Sequence, residues 1–184
     1  EDEIYLRPQD ETGEAEPLTF KADTYKYGFL WSPDGKKIAW TDKLFRLQYV
    51  DVATKQVTVI ARATVGEMGP FSWSPDSRQL VYMTRHRNRQ GSVTNELARY
   101  DVERGRRELI GPAGWRLGEP EFSPSGQYIV ATAYRDEQVG LVVLDSEGQN
   151  PRWLTAAVDG DCFSPTWSPD ETRIAFAQIG RAHV

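Results

Sequence analysis

Short runs of alternating apolar and polar residues, separated by turn-forming residues, fill the whole chain. A run that ends in Trp or Phe leads into a Ser-Pro-Asp-Gly-like turn and then into a run rich in β-branched and aromatic residues, as in WSPDGKKIAW. A third run ends in Asp, and a polar turn and a fourth short run follow, as in RLQYVDVATKQVTVIA. Such runs predict β-strands, and no segment keeps the 3.6-residue period of a helix. The pattern therefore predicts an all-β chain.

The four-run unit occurs repeatedly along the chain. Its turns are anchored at Pro33, Pro75, Pro124 and Pro169, with spacings of 42, 49 and 45 residues. Propeller blades repeat at ~40–45 residues and contain four strands each. The spacing and the strand count together predict a β-propeller built from four-stranded blades.

An aromatic residue precedes the turn of every unit. These residues are Trp31, Trp73, Phe122 and Trp167. Because they recur at one position, we expect them to form a repeated core layer between blades.

The ends of the chain suggest a part of a larger ring. Two strand-like runs precede the first turn unit, three complete units contain four each, and the last unit contains two. The prediction is therefore sixteen strands. We expect residues 1–178 to form an open four-blade fragment of a six- or seven-bladed propeller, with a closed four-bladed ring as the alternative. An open arc would expose strand edges and favour aggregation. Residues 179–184, IGRAHV, correspond to one reading frame of a common sequencing adapter and are expected to be a non-native tail.

Composition narrows the possible partners. The net charge of -5 disfavours nucleic acid, which binds basic surfaces, and no apolar stretch is long enough for membrane insertion by a helix. The single cysteine, Cys162, excludes a disulfide framework and is expected to be a buried, inert thiol. The compartment stays open between the periplasm and the cytoplasm of a prokaryote.

Three longer segments carry a family resemblance. TYKYGFLWSPDGKKIAWTDKLFRLQYVDVATKQVTVIA, GPFSWSPDSRQLVYMT and GEPEFSPSGQYIVATAYRD resemble the amino-terminal propeller of tricorn-type, tail-specific-protease-like serine peptidases, over roughly residues 1–136. The later segment SEGQNPRWLTAAVDGDCFSPTWSPDETRIAF is more similar to the WD-type blades of TolB-like propellers. Related blades occur in dipeptidyl-peptidase-type enzymes.

The resemblance implies binding and no catalysis within this chain. A tricorn-type propeller gates or binds peptide substrate for a separate serine-peptidase region, and none of that catalytic region lies in this sequence. The alternatives are a TolB-like periplasmic scaffold that binds proteins, and the propeller cap of an α/β-hydrolase peptidase. In each case the expected partner is a peptide or protein, without cofactor, and the parent protein is expected to be oligomeric.

The sequence itself predicts no group of catalytic or metal-binding side chains. Asp34, Asp76 and Asp170 lie in turns of separate blades and are expected to stabilise those turns, so no metal site is predicted. Outside the suspected tail His86 is the only histidine, and no G-x-S-x-G motif is present. We therefore predict no catalytic residues.

Two loops supply candidate ligand-binding residues. RHRNRQGS in the second unit contains Arg85, His86, Arg87 and Arg89, which suit an acidic peptide group. The Gly-rich segment GPAGWRLGEP presents Trp115, which we expect either to contact a ligand or to pack beneath its loop.

Overall fold

The computed structural model describes residues 2–87, 90–135, 138–155 and 160–180. Within these ranges the regular elements are sixteen β-strands, and none of the described residues forms a helix long and apolar enough to cross a membrane. The strands form three four-stranded and two two-stranded antiparallel sheets. Two compact units divide the chain, Glu1–Met68 and Gly69–Val184, which we call unit 1 and unit 2.

Unit 1 contains one hairpin and one four-stranded meander. The hairpin consists of β1 (Tyr5–Leu6) and β2 (Glu16–Pro17). The meander runs in chain order through β3 (Lys26–Trp31), β4 (Lys37–Asp42), β5 (Arg46–Asp51) and β6 (Val57–Arg62).

The core of unit 1 lies on one face of β4 and β5. The pairing Ile38↔Val50 places these two side chains on the same face as Trp40, since successive residues of a strand point to opposite faces. Ile4 and Leu18, which flank the β1–β2 hairpin, pack on this face in one buried cluster. The hairpin therefore covers the sheet by removing apolar surface from water.

Unit 2 contains two four-stranded meanders and one two-stranded sheet. The first meander consists of β7 (Phe71–Trp73), β8 (Gln79–Arg87), β9 (Val93–Asp101) and β10 (Arg106–Ile110). The second consists of β11 (Leu117–Phe122), β12 (Tyr128–Arg135), β13 (Gln138–Asp145) and β14 (Arg152–Trp153). The last sheet pairs β15 (Gly160–Trp167) with β16 (Ile174–Gly180).

The core of unit 2 lies between its two meanders. Val81, Met83 and Leu97 of the first meander belong to one buried cluster with Leu117 and Ile129 of the second. Gly118 allows the close approach, because a Cβ atom at that position would lie only 3.1 Å from the Met83 sulfur. The two sheets thus pack face to face through apolar side chains.

Each Ser-Pro-Asp turn is closed by its own aspartate. In the first turn the Ser32 hydroxyl donates to Asp34 Oδ1 at 2.7 Å, and the Lys36 amide donates to the same oxygen at 3.1 Å. Asp76 and Asp170 accept equivalent bonds in their turns. These contacts agree with the turn-stabilising role that the sequence predicts.

The third turn has no aspartate, and a glutamate from another turn bonds to it. Ser125 occupies the aspartate position in the turn between β11 and β12. Its amide donates to Glu171 Oε2 at 2.8 Å, and its hydroxyl donates to Glu171 Oε1 at 2.9 Å. Glu171 belongs to the turn between β15 and β16, so this bond joins two repeats.

The prediction of an all-β chain with four-stranded blades is confirmed, and the third strands end at Asp51, Asp101 and Asp145 as expected. Blade number and ring closure stay predictions. In the expected tail, Ile179 and Gly180 belong to β16, whereas residues 181–184 lie outside the described residues.

The expected aromatic layer is wrong for Trp31. Trp73 and Phe122 are each only 5% exposed, but Trp31 is 47% exposed. Inside unit 1 the buried cluster forms on β4 and β5, and no residue of β3 is buried. The repeated position therefore does not guarantee burial, because burial also requires an element that covers that face.

Candidate functional site

One end of unit 2 combines two long hairpins with a loop. In an antiparallel meander, the turn from the second to the third strand and the connection into the next sheet lie at the same end. Here this end carries the β8–β9 turn, the β12–β13 turn and the loop between β10 and β11. We call it the hairpin end.

The β8–β9 hairpin projects beyond its own sheet. β7 pairs with β8 only through Tyr82, and β10 pairs with β9 only from Leu97 onward. The paired segments 84–87 and 93–96 therefore form a two-stranded extension. Such an extension is typical of surface elements that contact partners.

The candidate residues of this hairpin divide between its two faces. Arg85 and Arg87 lie on the same face as the buried Met83, because strand residues alternate. His86 lies on the opposite face, where its Nδ1 is 3.6 Å from Glu96 Oε2. Arg87 Nη1 donates to the Gly91 carbonyl at 2.8 Å, which ties the strand to its turn. Arg89 lies outside the described residues.

A cation and an aromatic ring meet on the neighbouring hairpin. The guanidinium of Arg116 lies 4.3 Å from the centre of the Tyr134 ring, and the Tyr134 amide donates to the Arg116 carbonyl at 3.0 Å. Both side chains are exposed. The pair presents a cation and a flat apolar surface to solvent.

Trp115 packs against the protein. Its ring centre lies 5.4 Å from that of Trp153, with the ring planes tilted by 32°. Both rings are partly buried on the apolar cluster of unit 2. Trp153 in turn approaches Gly140, where a Cβ atom would lie 2.9 Å from its ring. The structure thus places Trp115 beneath its loop, and ligand contact by this residue stays a prediction.

Two carboxylates at the hairpin end accept hydrogen bonds from backbone amides. Glu119 Oε2 accepts from the Ser164 amide at 2.5 Å, and Asp161 Oδ1 accepts from the Val139 amide at 2.8 Å. These carboxylates connect β11 with β15 and β13 with β15. The sequence analysis missed these contacts, because the bonded residues are 22 or more positions apart.

Three first strands contain an irregularity at one position of the repeat. Gly28, Glu119 and Ser164 each lie five residues before the turn proline and have φ of 63°, 46° and 51°. The register of β3, β11 and β15 shifts at these residues, which identifies β-bulges. Pro70 occupies the position in the second repeat, where β7 is only three residues long. Only Gly28 gave a sequence signal, since glycine favours positive φ.

The side chains of the hairpin end suit recognition of a binding partner. No group of three or more His, Cys, Asp or Glu residues in the described ranges could hold a metal ion. Cys162 is buried, and burial raises the pKa of its thiol, which opposes formation of a reactive thiolate. The exposed groups are instead cations and an aromatic ring, which bind acidic or apolar side chains.

Known proteins with similar sequences and structures include TolB. The Tol-Pal system protein TolB of Alcanivorax borkumensis is 33% identical over 93 residues, which are 50% of this chain and 20% of that protein. The crystal structure of TolB from Acinetobacter baumannii superposes with a TM-score of 0.69 at 18% identity, covering 97% of this chain and 43% of that one. The chain therefore spans about a fifth of its curated relative and less than half of this solved one.

Tricorn protease also shares the fold. Its crystal structure gives a TM-score of 0.65 at 20% identity, with 74% of this chain but 15% of that chain covered. A likeness at this identity shows the fold alone. The family comparison is more specific, because residues 42–182 match the TolB beta propeller domain. The chain belongs to the TolB β-propeller domain family.

Proposed function

We propose that this domain is a non-catalytic scaffold that binds a peptide or protein partner through the hairpin end of unit 2. The observation that carries the proposal is the two-stranded extension of β8–β9, which holds Arg85 and Arg87 on one face. Arg87 is exposed and Arg85 is half-buried, and cations on a projecting hairpin suit the binding of another chain.

The side chains favour an acid-rich, extended partner segment. Arg87 and Arg116 supply exposed cations, although the chain as a whole carries a net charge of -5. Guanidinium groups bind carboxylates through two parallel hydrogen bonds, and the Tyr134 ring offers apolar contact beside them. Local positive charge attracts acidic segments and repels basic ones. Charge alone therefore determines the chemical class of the partner and does not select one sequence.

Binding of labelled acidic peptides tests the site. We expect replacement of Arg85 and Arg87 by Ala to weaken binding of a Glu-rich peptide about tenfold, because two charged contacts are lost. The matched control is Arg104→Ala, which removes an exposed arginine from the β9–β10 turn at the opposite end of the sheet. Fluorescence polarisation measures both affinities. Equal weakening by the two variants would contradict a site at the hairpin end.

Gating of peptide substrate for a serine peptidase remains the second candidate. The resemblance of residues 1–136 to tricorn-type propellers favours it. Both candidates require a chain without catalytic groups, which an assay for hydrolysis of peptide substrates tests directly. Activity that disappears on mutation of a residue of this chain would contradict both.

A further inference from the structure

Unit 1 contains a small cleft between its four-stranded meander and the connection that follows β2. The meander contributes Trp40 of β4, Gln48 of β5 and Val57 of β6, and the other wall includes residues 19–23 and Lys26. We call it the unit 1 cleft, and its volume is about 200 Å³. Pockets for drug-sized ligands measure about 300–1,000 Å³, so this cleft fits a smaller group, such as one side chain.

Trp40 brings an unpaired hydrogen-bond donor to this cleft. Its side chain belongs to the same buried cluster as Leu18 and Val50, and 1% of its surface is exposed. Its Nε1 has no hydrogen-bond partner among the described residues. A buried N–H group without an acceptor is destabilising, because it has lost the water that it would bond in the unfolded chain. An acceptor that enters the cleft would satisfy this donor.

Gln48 supplies an acceptor beside this donor. It lies directly opposite Trp40 in the β4–β5 pairing, so both side chains are on the same face of the sheet. Its Nε2 donates to Asp42 Oδ2 at 2.7 Å, and the orientation of the amide follows because a carboxylate only accepts. Gln48 Oε1 accepts no hydrogen bond from the described residues. The cleft therefore combines one donor and one acceptor on neighbouring side chains.

Two of the three cations that line the cleft already have acidic partners. Arg46 donates through Nη1 and Nη2 to the two oxygens of Asp23 at 2.9 and 2.6 Å. Lys26 Nζ lies 3.6 Å from Glu3 Oε2, and the third cation, Lys21, is exposed to solvent. A charged ligand would compete with these ion pairs, whereas a neutral polar group would leave them intact. The cleft therefore suits a neutral ligand.

We propose that the unit 1 cleft binds the primary carboxamide of a glutamine side chain from a partner peptide. The carbonyl oxygen of that group accepts from Trp40 Nε1, and its NH₂ group donates to Gln48 Oε1. A hydroxyl group would offer a single atom for both bonds, and a carboxylate would offer no donor. The site lies in unit 1, so it goes beyond the binding proposed for the hairpin end of unit 2 and does not rest on it.

Two exposed apolar side chains favour glutamine over a shorter amide. Phe20 is 60% exposed and Val57 is 41% exposed, and both line the cleft. The methylene groups of a glutamine can lie against these side chains while its amide reaches the buried indole of Trp40. This contact removes apolar surface from water on both partners. The stem of an asparagine is shorter and reaches less far into the cleft.

Nuclear magnetic resonance titration of the chain with capped amino acids tests the proposal. We expect N-acetylglutamine N-methylamide to shift the indole N–H resonance of Trp40 saturably, because that proton gains an acceptor, and Trp40→Phe identifies the resonance. The matched probe is the equally capped glutamate, which should bind about tenfold more weakly because its carboxylate cannot donate to Gln48. Equal affinity of the two probes, or no shift of the Trp40 resonance, would overturn the proposal.

An exposed phenylalanine allows a second test that leaves the core intact. Phe20→Ser should weaken binding of the capped glutamine severalfold, because the contact with its methylene groups is lost. The matched control is Phe29→Ser, which removes an exposed phenylalanine of β3 that does not line the cleft and should leave the affinity nearly unchanged. Equal affinities of the two variants for the capped glutamine would overturn the proposal.

Discussion

Arg99 of β9 is the most enclosed cation among the described arginines, with 9% of its surface exposed. Its Nη1 and Nη2 donate to the two oxygens of Glu147 at 2.8 and 2.6 Å, and its Nε donates to Glu108 Oε1 at 3.1 Å. Glu147 follows β13 and Glu108 lies in β10, so one guanidinium connects the two meanders of unit 2. Planar, paired bonds of this kind need arginine rather than lysine.

This cluster makes the stability of the chain depend on pH. The hydrogen bonds from Arg99 lower the pKa of Glu147 below its ordinary value of 4.5. A carboxylate with a lowered folded pKa stabilises the fold above its unfolded pKa, and the contribution is lost as the pH falls through the folded value. We expect Arg99→Met to reduce the free energy of unfolding by about 1 kcal/mol at pH 7, a modest value because both carboxylates stay largely exposed.

Denaturant titrations of the wild type and Arg99→Met at several pH values check this expectation. The difference between the two proteins should be constant near neutral pH and should shrink below pH 4.5 as Glu147 is protonated. A difference that is the same at all pH values would show that packing of the arginine stem, and not the charge pair, is responsible.

The bulged first strands are the elements in which local conformation matters most. Gly28 has φ of 63°, and a Cβ atom added there would meet no atom within 4 Å. The cost of a side chain at this position is therefore the left-handed backbone alone. We expect Gly28→Ala to lower the free energy of unfolding by about 1 kcal/mol.

Gly13→Ala is the matched control for this bulge. Gly13 is not in the left-handed region, and an added Cβ atom would make only ordinary contacts with the Pro8 ring, the nearest at 3.4 Å. Equilibrium denaturation should therefore show a smaller loss for Gly13→Ala than for Gly28→Ala. Equal losses would argue against a conformational requirement at the bulge.

Strands were predictable from the sequence, and their irregularities were not. Proline turns and terminal aspartates mark the ends of each strand, so the alternating pattern locates β4, β8 and β12 well. Glu119 and Ser164 carry no sign of positive φ, since other residues enter that region only when surrounding contacts compensate. The alternating sequence pattern reflects the local backbone preference of each residue, whereas a β-bulge depends on how the strand pairs with its neighbour.

The candidate site was predictable only in part. The arginines of β8 stand together in the sequence and could be identified, but their division between two faces follows from strand register. Arg116 and Tyr134 are distant in sequence and meet because Leu117 pairs with Ala133. Trp115 could be assigned to its packed position only after Trp153 was located beside it.

For the molecule as a whole, the surface of unit 1 is unusually apolar along β3. Tyr27, Phe29, Leu30 and Trp31 are all exposed large hydrophobic residues on one strand. Exposed apolar side chains bind hydrophobic dyes and favour association. We expect Phe29→Ser/Leu30→Ser to reduce 8-anilinonaphthalene-1-sulfonate fluorescence of the folded chain severalfold and to lower its turbidity on heating.

Leu109→Ser is the control for this surface. Leu109 of β10 is also exposed, but it is the only exposed apolar residue of the strand RRELI. Dye fluorescence of this variant should stay close to that of the wild type, with circular dichroism confirming that all chains are folded. A similar decrease in both variants would contradict a localised apolar surface.

The bond between Ser125 and Glu171 has a consequence for how such a molecule can evolve. Repeats that close their own turns can be duplicated, deleted or reordered without loss of a local contact. The third repeat is less independent, because Ser125 of its turn also donates to a carboxylate contributed by the next repeat. Recombination that separated the two would leave Ser125 without that acceptor and Glu171 without its donors. The order of these two repeats along the chain therefore matters to both turns.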